Sequence, residues 1–121
     1  MTGYLKAGAS AEPIRAIVYS DNGSTTSPAP ASFVAVSNEV NIPANSSATP
    51  TWVDFSFPSG TALQPGKYWL GYWYGATALT EYYDAVANGG SRYSPAPYSA
   101  TANPPTAFGS GTASVQSMSL Y

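Results

Sequence analysis

Side chains suited to acid–base chemistry are scarce in this chain. A glycosidase needs two carboxylates that face each other across a cleft. Glu81 and Asp84 are the only acidic residues close together in the sequence, and three residues along a strand place them on opposite faces unless a bulge intervenes. We therefore expect no catalytic pair among the six acidic residues, which are Glu12, Asp21, Glu39, Asp54, Glu81 and Asp84.

Nucleophilic catalysis is also disfavoured by the composition. The chain has no histidine and no cysteine, which excludes disulfides, zinc fingers, thiol nucleophiles and histidine bases. A serine nucleophile would have to use Lys6 or Lys67 as its base, and neither lysine lies in a recognisable motif. The sequence therefore predicts a protein that is not an enzyme.

One segment has the side-chain oxygens that a calcium ion prefers. Residues 21–24 read Asp-Asn-Gly-Ser, but they lack the spaced acids and the closing bidentate glutamate of an EF-hand loop. The same residues favour a tight hairpin turn, because Asn and Gly tolerate a positive φ. We expect a turn and no cofactor, and a structural calcium site elsewhere stays open as an alternative without a location.

Aromatic side chains are the strongest candidates for ligand binding. Tyr and Trp rings present an apolar face and a polar group, which suits stacking on sugar rings. Tyr68 and Trp69 lie in the middle of an apolar run and are predicted to be core, whereas rings that flank turns are predicted to be exposed. The predicted carbohydrate-binding residues are Trp73, Tyr74, Tyr82, Tyr93 and Tyr98, with Arg92 as a polar clamp.

Each of these predictions has a competing structural interpretation. Large aromatic side chains are highly buried on average, so packing in the core or at an interface is favoured for most of the rings, including Trp52, Tyr72 and Tyr83. Arg92 is equally suited to a surface ion pair with Glu81 or Asp84.

The overall composition limits the fold and the partners. Only 8% of the 121 residues are charged, against about 25% in an average domain, and the net charge of −2 provides no basic surface for nucleic acid. Eleven glycines and eleven prolines interrupt the chain too often for a helical bundle. No apolar run is long enough to span a bilayer, and no basic leader precedes one, so neither membrane insertion nor a secretion signal is expected.

Short segments with alternating apolar residues predict β-strands throughout. In residues 52–57, Val53, Phe55 and Phe57 are predicted to face the core. Residues 14–20 and 68–74 have apolar residues on both faces, as strands covered on both sides do. The predicted strands are 3–7, 14–20, 33–42 with a bend near Ser37 and Asn38, 52–57, 68–74, 80–87 and 115–121.

Turns and loops complete this prediction. Residues 64–67, Gln-Pro-Gly-Lys, have the proline and glycine positions of a type II turn. Residues 88–114 are rich in Pro, Ser and Gly and predict a long loop, whether ordered or flexible. The sequence as a whole predicts one all-β domain over residues 1–121, an antiparallel, jelly-roll-like β-sandwich of about seven to eight strands.

Three blocks of the sequence together resemble a known family. They are IRAIVYSDNG at residues 14–23, WVDF at 52–55 continuing to LQPGKYWLG at 63–71, and SMSLY at 117–121. This pattern resembles an uncharacterised, lectin-like β-sandwich module of secreted multidomain bacterial proteins and of tailed-phage virion and minor tail proteins. The resemblance implies a non-catalytic module at a virion surface or in the extracellular space.

Two departures from the family pattern affect the predicted partners. Almost nothing precedes Gly3, where the family has further strands, and residues 25–30 replace a glycine-rich turn. One interpretation is an open sheet edge that another chain of an assembly completes by β-strand addition. The other is that a short edge strand at residues 3–6 suffices.

Two functions are therefore carried forward. The first is a structural or adhesive surface module, most plausibly a phage virion decoration or tail component, that acts by protein–protein contact. If Met1 is the natural start, the lack of a leader favours the virion. The alternative is a carbohydrate-binding module of a secreted or tail protein, with glycans as the partner of its exposed Trp and Tyr side chains.

Overall fold

The computed structural model of the chain describes residues 1–44, 49–75, 79–85, 90–118 and 120. Over this part of the chain the fold is all-β, without a helix. The strands are β1 Thr2–Lys6, β2 Glu12–Asp21, β3 Pro30–Val36, β4 Val40–Ile42, β5 Thr51–Asp54, β6 Tyr68–Tyr74, β7 Thr80–Glu81, β8 Tyr83–Ala85, β9 Ser91–Tyr93, β10 Thr112–Ser114 and β11 Gln116–Met118. Every ladder between them is antiparallel, which confirms the predicted fold class.

Strand β2 is the centre of the larger sheet. On one side it pairs with β6 along almost its whole length, from Ile14 opposite Tyr74 to Ser20 opposite Tyr68. On the other side its first half pairs with β4 and its second half with β3. The predicted bend near Ser37 and Asn38 is the break between β3 and β4, so one predicted strand is two observed strands that share a neighbour.

The smaller sheet has the order β5-β1-β7. Strand β1 lies between its two neighbours, with Gly3 opposite Val53 and Leu5 opposite Glu81. The predicted edge at residues 3–6 is therefore wrong, since both sides of β1 are paired. Strand β1 is the middle strand of this sheet.

The core of the fold lies between the two sheets. Leu5 from β1 and Ile14 from β2 are almost fully buried there, with Phe55 packed beside them. Val53 and Phe57 are half-buried on the same side of their segment as Phe55, and Trp52 on the other side is exposed. The predicted core face of residues 52–57 is confirmed, although β5 itself ends at Asp54.

The other face of the larger sheet is covered by a segment without regular structure. Residues 94–111, here called the covering segment, connect β9 to β10. The backbone amide of Phe33 donates to the Thr106 carbonyl at 2.8 Å and that of Phe108 donates to the Ala31 carbonyl at 2.9 Å. The predicted loop at 88–114 is thus an ordered layer with a strand at each end, and residues 88 and 89 lie outside the described part.

Two predicted turns have different outcomes. Gly23 has φ = 75°, and its amide donates to Oδ1 of Asp21 at 2.8 Å, so the predicted positive φ and a local turn are confirmed. The hairpin is not tight, since β3 begins only at Pro30. Gly66 is not among the glycines with positive φ. Because a type II turn requires positive φ at that position, the type II prediction for residues 64–67 is wrong.

Candidate functional site

The outer edge of β6 is the feature from which the candidate site is built. The Asp21 amide donates to the Lys67 carbonyl at 3.0 Å, which makes these two a hydrogen-bonded pair at the end of the β2–β6 ladder. Hydrogen-bonded pairs alternate along an antiparallel ladder, so Trp69, Gly71 and Trp73 direct their backbone polar groups toward β2. The remaining residues of β6 direct theirs away from β2.

An independent hydrogen bond supports this assignment. The Ser37 amide donates to the Ala16 carbonyl at 2.9 Å, so Ala16 of β2 directs its backbone away from β6. Ala16 stands opposite Tyr72, and the two form a non-hydrogen-bonded pair. In such a pair the backbone N–H and C=O groups of the two residues point away from each other. Tyr68, Leu70, Tyr72 and Tyr74 therefore place their N–H and C=O groups at the outer edge, where no strand of the described residues pairs with them.

A cavity of about 430 Å³ runs along this edge. All seven residues of β6 line it. Because successive side chains of a strand point to opposite faces, a cavity lined by every residue of β6 reaches both faces of this strand at its outer edge. The cavity also extends over one face of the sheet, since Ile17 and Tyr19 of β2 line it. The rest of the lining includes residues 90–96, 117, 118 and 120 together with Pro104, Pro105 and Phe108.

Gly71 opens the cavity toward the sheet itself. A Cβ atom at this position would lie 3.7 Å from Cγ1 of Ile17, so the missing side chain exposes Ile17 to the cavity. Leu70, next to it, is 44% exposed. The middle of the edge is therefore apolar and sterically open.

Glu81 gives the cavity one ionisable group between the sheets. Burial raises the pKa of its carboxyl group, while a hydrogen bond with Tyr74 acts in the opposite direction. Burial and the nearby Glu81 raise the pKa of Tyr74 to about 12, so its phenol stays protonated at neutral pH. The buried Glu12 also raises the pKa of Tyr74. Among the described residues that line the cavity, however, only Glu81 has a carboxyl group, so the lining does not contain the carboxylate pair that glycoside hydrolysis requires.

Four of the six predicted site residues line this cavity, namely Trp73, Tyr74, Arg92 and Tyr93. Arg92 donates from Nε and Nη2 to the Pro28 carbonyl at 3.2 and 3.0 Å, which ties β9 to the loop after β2. Tyr93 is 62% exposed and forms the rim. The side chain of Asp84 lies outside the described part, so one of the two predicted ion pairs of Arg92 is not described.

Trp73 is only 7% exposed, so its predicted exposure is wrong. The Tyr98 ring lies 5.3 Å from the Trp73 ring, and the Tyr98 hydroxyl donates to Glu39. Burial and the bonded Glu39 raise the pKa of Tyr98. Trp73 is buried because the covering segment packs on it, an arrangement that local alternation does not encode.

Tyr82 lies away from the cavity, on the outer face of the smaller sheet. Its ring is 5.2 Å from that of Tyr4, which in turn is 4.9 Å from that of Trp52. Tyr4 is an aromatic residue that sequence reasoning missed. The available signal was the alternation in residues 2–6, which places Tyr4 on the face opposite Leu5. The segment is too short for this alternation to stand out in the sequence.

Trp69 is half-buried rather than fully in the core, and its indole has a specific partner. Nε1 of Trp69 donates to Oδ2 of Asp21 at 2.7 Å. This bond and that from the Gly23 amide lower the pKa of Asp21. Asp21 thus accepts one hydrogen bond from within the turn, at Oδ1, and one from the neighbouring strand β6, at Oδ2.

The described residues contain neither a candidate metal centre nor a membrane-spanning helix. Within residues 1–44, 49–75, 79–85, 90–118 and 120, no group of three or more acidic side chains is placed to hold a metal ion. The same part of the chain contains no helix of the length and apolarity needed to cross a membrane.

Comparison with protein-family models, curated proteins and solved structures finds no match to this chain. The family resemblance seen in the sequence therefore stays an interpretation.

Proposed function

We propose that this protein is a non-catalytic structural or adhesive module that contacts other protein chains by accepting a β-strand along the outer edge of β6. The observation that carries the proposal is the coincidence of two features. The outward N–H and C=O groups of Tyr68, Leu70, Tyr72 and Tyr74 lie along one line, and the cavity of about 430 Å³ follows the same line.

A strand edge without a neighbour is a template for pairing with another chain. Here the edge is recessed, since residues 90–96 line the same cavity. A recessed edge accepts a single extended segment better than the edge of a second folded sheet, because these residues limit how close a bulky neighbour can approach. Main-chain hydrogen bonds would provide affinity, and the open space beside Gly71 and Leu70 would select side chains.

The setting that fits such a module is the exterior of a phage virion or an extracellular surface. A chain with 8% charged residues and neither His nor Cys offers little reactive chemistry and suits a passive exterior. The family resemblance points to the same setting. Function as a virion decoration or tail component is the form of the proposal that this resemblance favours.

The test uses a soluble peptide of alternating valine and threonine with terminal lysines, which has high β-propensity and no acidic group. We expect it to slow amide hydrogen exchange at Leu70, Tyr72 and Tyr74 in the intact protein. Leu70→Pro removes one outward N–H without removing a β2–β6 hydrogen bond, and should abolish the protection. Leu70→Ala keeps the N–H and is the matched control.

A thermal melt establishes that both variants are folded. Protection that persists in Leu70→Pro, or a peptide that protects none of the three amides in the folded wild-type protein, would rule out strand acceptance at β6.

A further inference from the structure

The outer face of the smaller sheet carries a row of aromatic rings. In β1 the Leu5 side chain is buried toward the core and Gly3 is a buried residue, so Tyr4, between them, points to the opposite face. Trp52 of β5 stands directly opposite Tyr4 in the ladder and is 53% exposed. Tyr82, which follows β7, completes the row on the other side of Tyr4.

The rings are close together but not coplanar. The Tyr4 and Trp52 planes make an angle of 41°, and the Tyr4 and Tyr82 planes make an angle of 59°. The row is thus a set of tilted surfaces that follow one another across three neighbouring chain segments. A flat crystalline polymer needs coplanar rings, whereas a single chain that twists between residues can contact tilted ones.

Polar groups flank the row on both sides. Thr2 donates from Oγ1 to Oδ1 of Asp54 at 2.6 Å. This pair lies on the same face as Tyr4 and Trp52, two residues away from them along each strand. On the other side of Tyr4, Lys6 stands opposite Thr80. Hydroxyl, carboxylate and ammonium groups therefore lie within reach of anything stacked on the rings.

We propose that Tyr4, Trp52 and Tyr82 form a binding site for a soluble glycan chain of neutral pyranose units. A pyranose has an apolar C–H face, which stacks on an aromatic ring, and hydroxyl groups at its edge. The aromatic row offers a surface for the apolar face of the sugar, and the polar residues beside the row offer hydrogen bonds to its hydroxyl groups. The flanks carry one carboxylate, Asp54, and one ammonium, Lys6, so the surface has no excess charge to attract an acidic polymer.

A protein partner fits this face less well. A stable protein interface buries about 800 Å² on each side around an apolar centre. Here the polar pairs Thr2–Asp54 and Lys6–Thr80 begin two residues away from the rings, which confines the apolar surface to a single row. The predicted carbohydrate-binding role thus belongs to a different face from the cavity, and it does not rest on strand acceptance at β6.

Affinity gel electrophoresis with soluble mixed-linkage β-glucan, xylan and galactomannan tests the proposal. At least one of these neutral polymers should retard the wild-type protein. Replacing Trp52 or Tyr4 by alanine should weaken retardation by about tenfold or more, because a stacked ring at the centre of a site contributes most of its affinity. Tyr93→Ala removes an exposed ring at the cavity rim and should leave retardation unchanged.

The outcomes separate this site from the strand-accepting edge. Leu70→Pro should be retarded like the wild type, and Trp52→Ala should still gain protection at β6 from the valine–threonine peptide. Retardation by none of the three polymers, or retardation that survives Trp52→Ala in a protein shown by its thermal melt to be folded, would overturn the glycan site.

Discussion

The hydroxyl oxygen of Tyr72 lies 1.8 Å from the point at which a Cβ atom would stand on Gly3. Gly3 is buried in β1, and Tyr72 reaches it from β6 across the space between the two sheets. The glycine therefore permits the close approach of the two layers at this point. Its role is steric, since its φ is not positive.

Gly3→Ala should destabilise the protein by about 1–3 kcal/mol, the usual cost of adding a methyl group to a packed interior. The Tyr72 ring has little room to yield, because it packs against the Phe55 ring at a centroid distance of 5.7 Å. Urea unfolding measures the change. Gly66→Ala is the control, since its Cβ would meet Tyr68 only at 3.6 Å.

Combining Gly3→Ala with Tyr72→Phe tests the same contact by a double-mutant cycle. Removing the hydroxyl should recover part of the loss, because the nearest clashing atom disappears. Recovery should be incomplete, since Cζ of the ring still lies 2.7 Å from the alanine Cβ position. Strictly additive losses would show that the two residues do not meet in the folded protein.

Glu81 should make the protein less stable as the pH rises from about 4.5, the ordinary pKa of a glutamate. Burial raises the pKa of Glu81 in the folded state, so the folded protein holds this proton more tightly than the unfolded chain. Glu81→Gln removes the titration and should be more stable than the wild type at neutral pH. Thermal melts from pH 4.5 to 7.5 should show the difference shrinking as the pH falls, and a constant difference would contradict this.

Asp21 should make the protein less stable as the pH falls into the acid range, the reverse of the effect of Glu81. Its bonds to Trp69 and Gly23 hold its pKa below the ordinary value of 3.8, so the stability it contributes is present above that value and is lost as the pH falls through the folded pKa. Asp21→Asn should be less stable than the wild type at neutral pH, and the two proteins should converge in acid. The fluorescence of Trp69, which contacts Asp21, follows the unfolding of the wild type and of Asp21→Asn at each pH.

Arg15→Met should loosen the covering segment without disrupting β2. Arg15 is only 9% exposed and donates to the Ser37 carbonyl at 2.9 Å and to the Ala102 carbonyl at 2.8 Å. Amide exchange should quicken at Phe33 and Phe108, whose hydrogen bonds join the segment to the sheet.

Tyr19→Phe is the milder comparison for Arg15→Met. It removes one neutral hydrogen bond, 2.7 Å long, to the Pro105 carbonyl, and should cost about 1 kcal/mol. If Phe33 and Phe108 exchange no faster in Arg15→Met than in Tyr19→Phe, the guanidinium does not anchor the segment.

The sequence predicted well what depends on neighbours along the chain. The alternation of Val53, Phe55 and Phe57, the two apolar faces of β2 and the turn at Gly23 are local properties, and the structure has all three. Strand pairing depends on distant residues, so β1 was predicted at a sheet edge although it lies between β5 and β7.

The candidate sites show the same limit. Tyr82 could be named from its position beside a turn, but Tyr4, whose ring it contacts, is 78 residues away in the sequence. Trp52, which contacts the other side of Tyr4, is 30 residues from Tyr82, and only strand pairing brings the three rings into one row. Trp73 has the same turn-flanking signal, yet Tyr98 covers it. Hydrophobic patterning identifies which rings are available, and tertiary contacts decide which of them remain exposed.

The position of the covering segment has a consequence for the order of folding. Arg15 and Tyr19 reach their partners in this segment across 87 and 86 residues of chain. During synthesis, β2 leaves the ribosome long before residues 94–111 exist, so Ile17 and Tyr19 stay exposed to water until most of the chain has been made. Such non-local contacts fold slowly, on the order of milliseconds to seconds. Until the covering segment is made, the apolar face of β2 is a surface on which incomplete chains can associate.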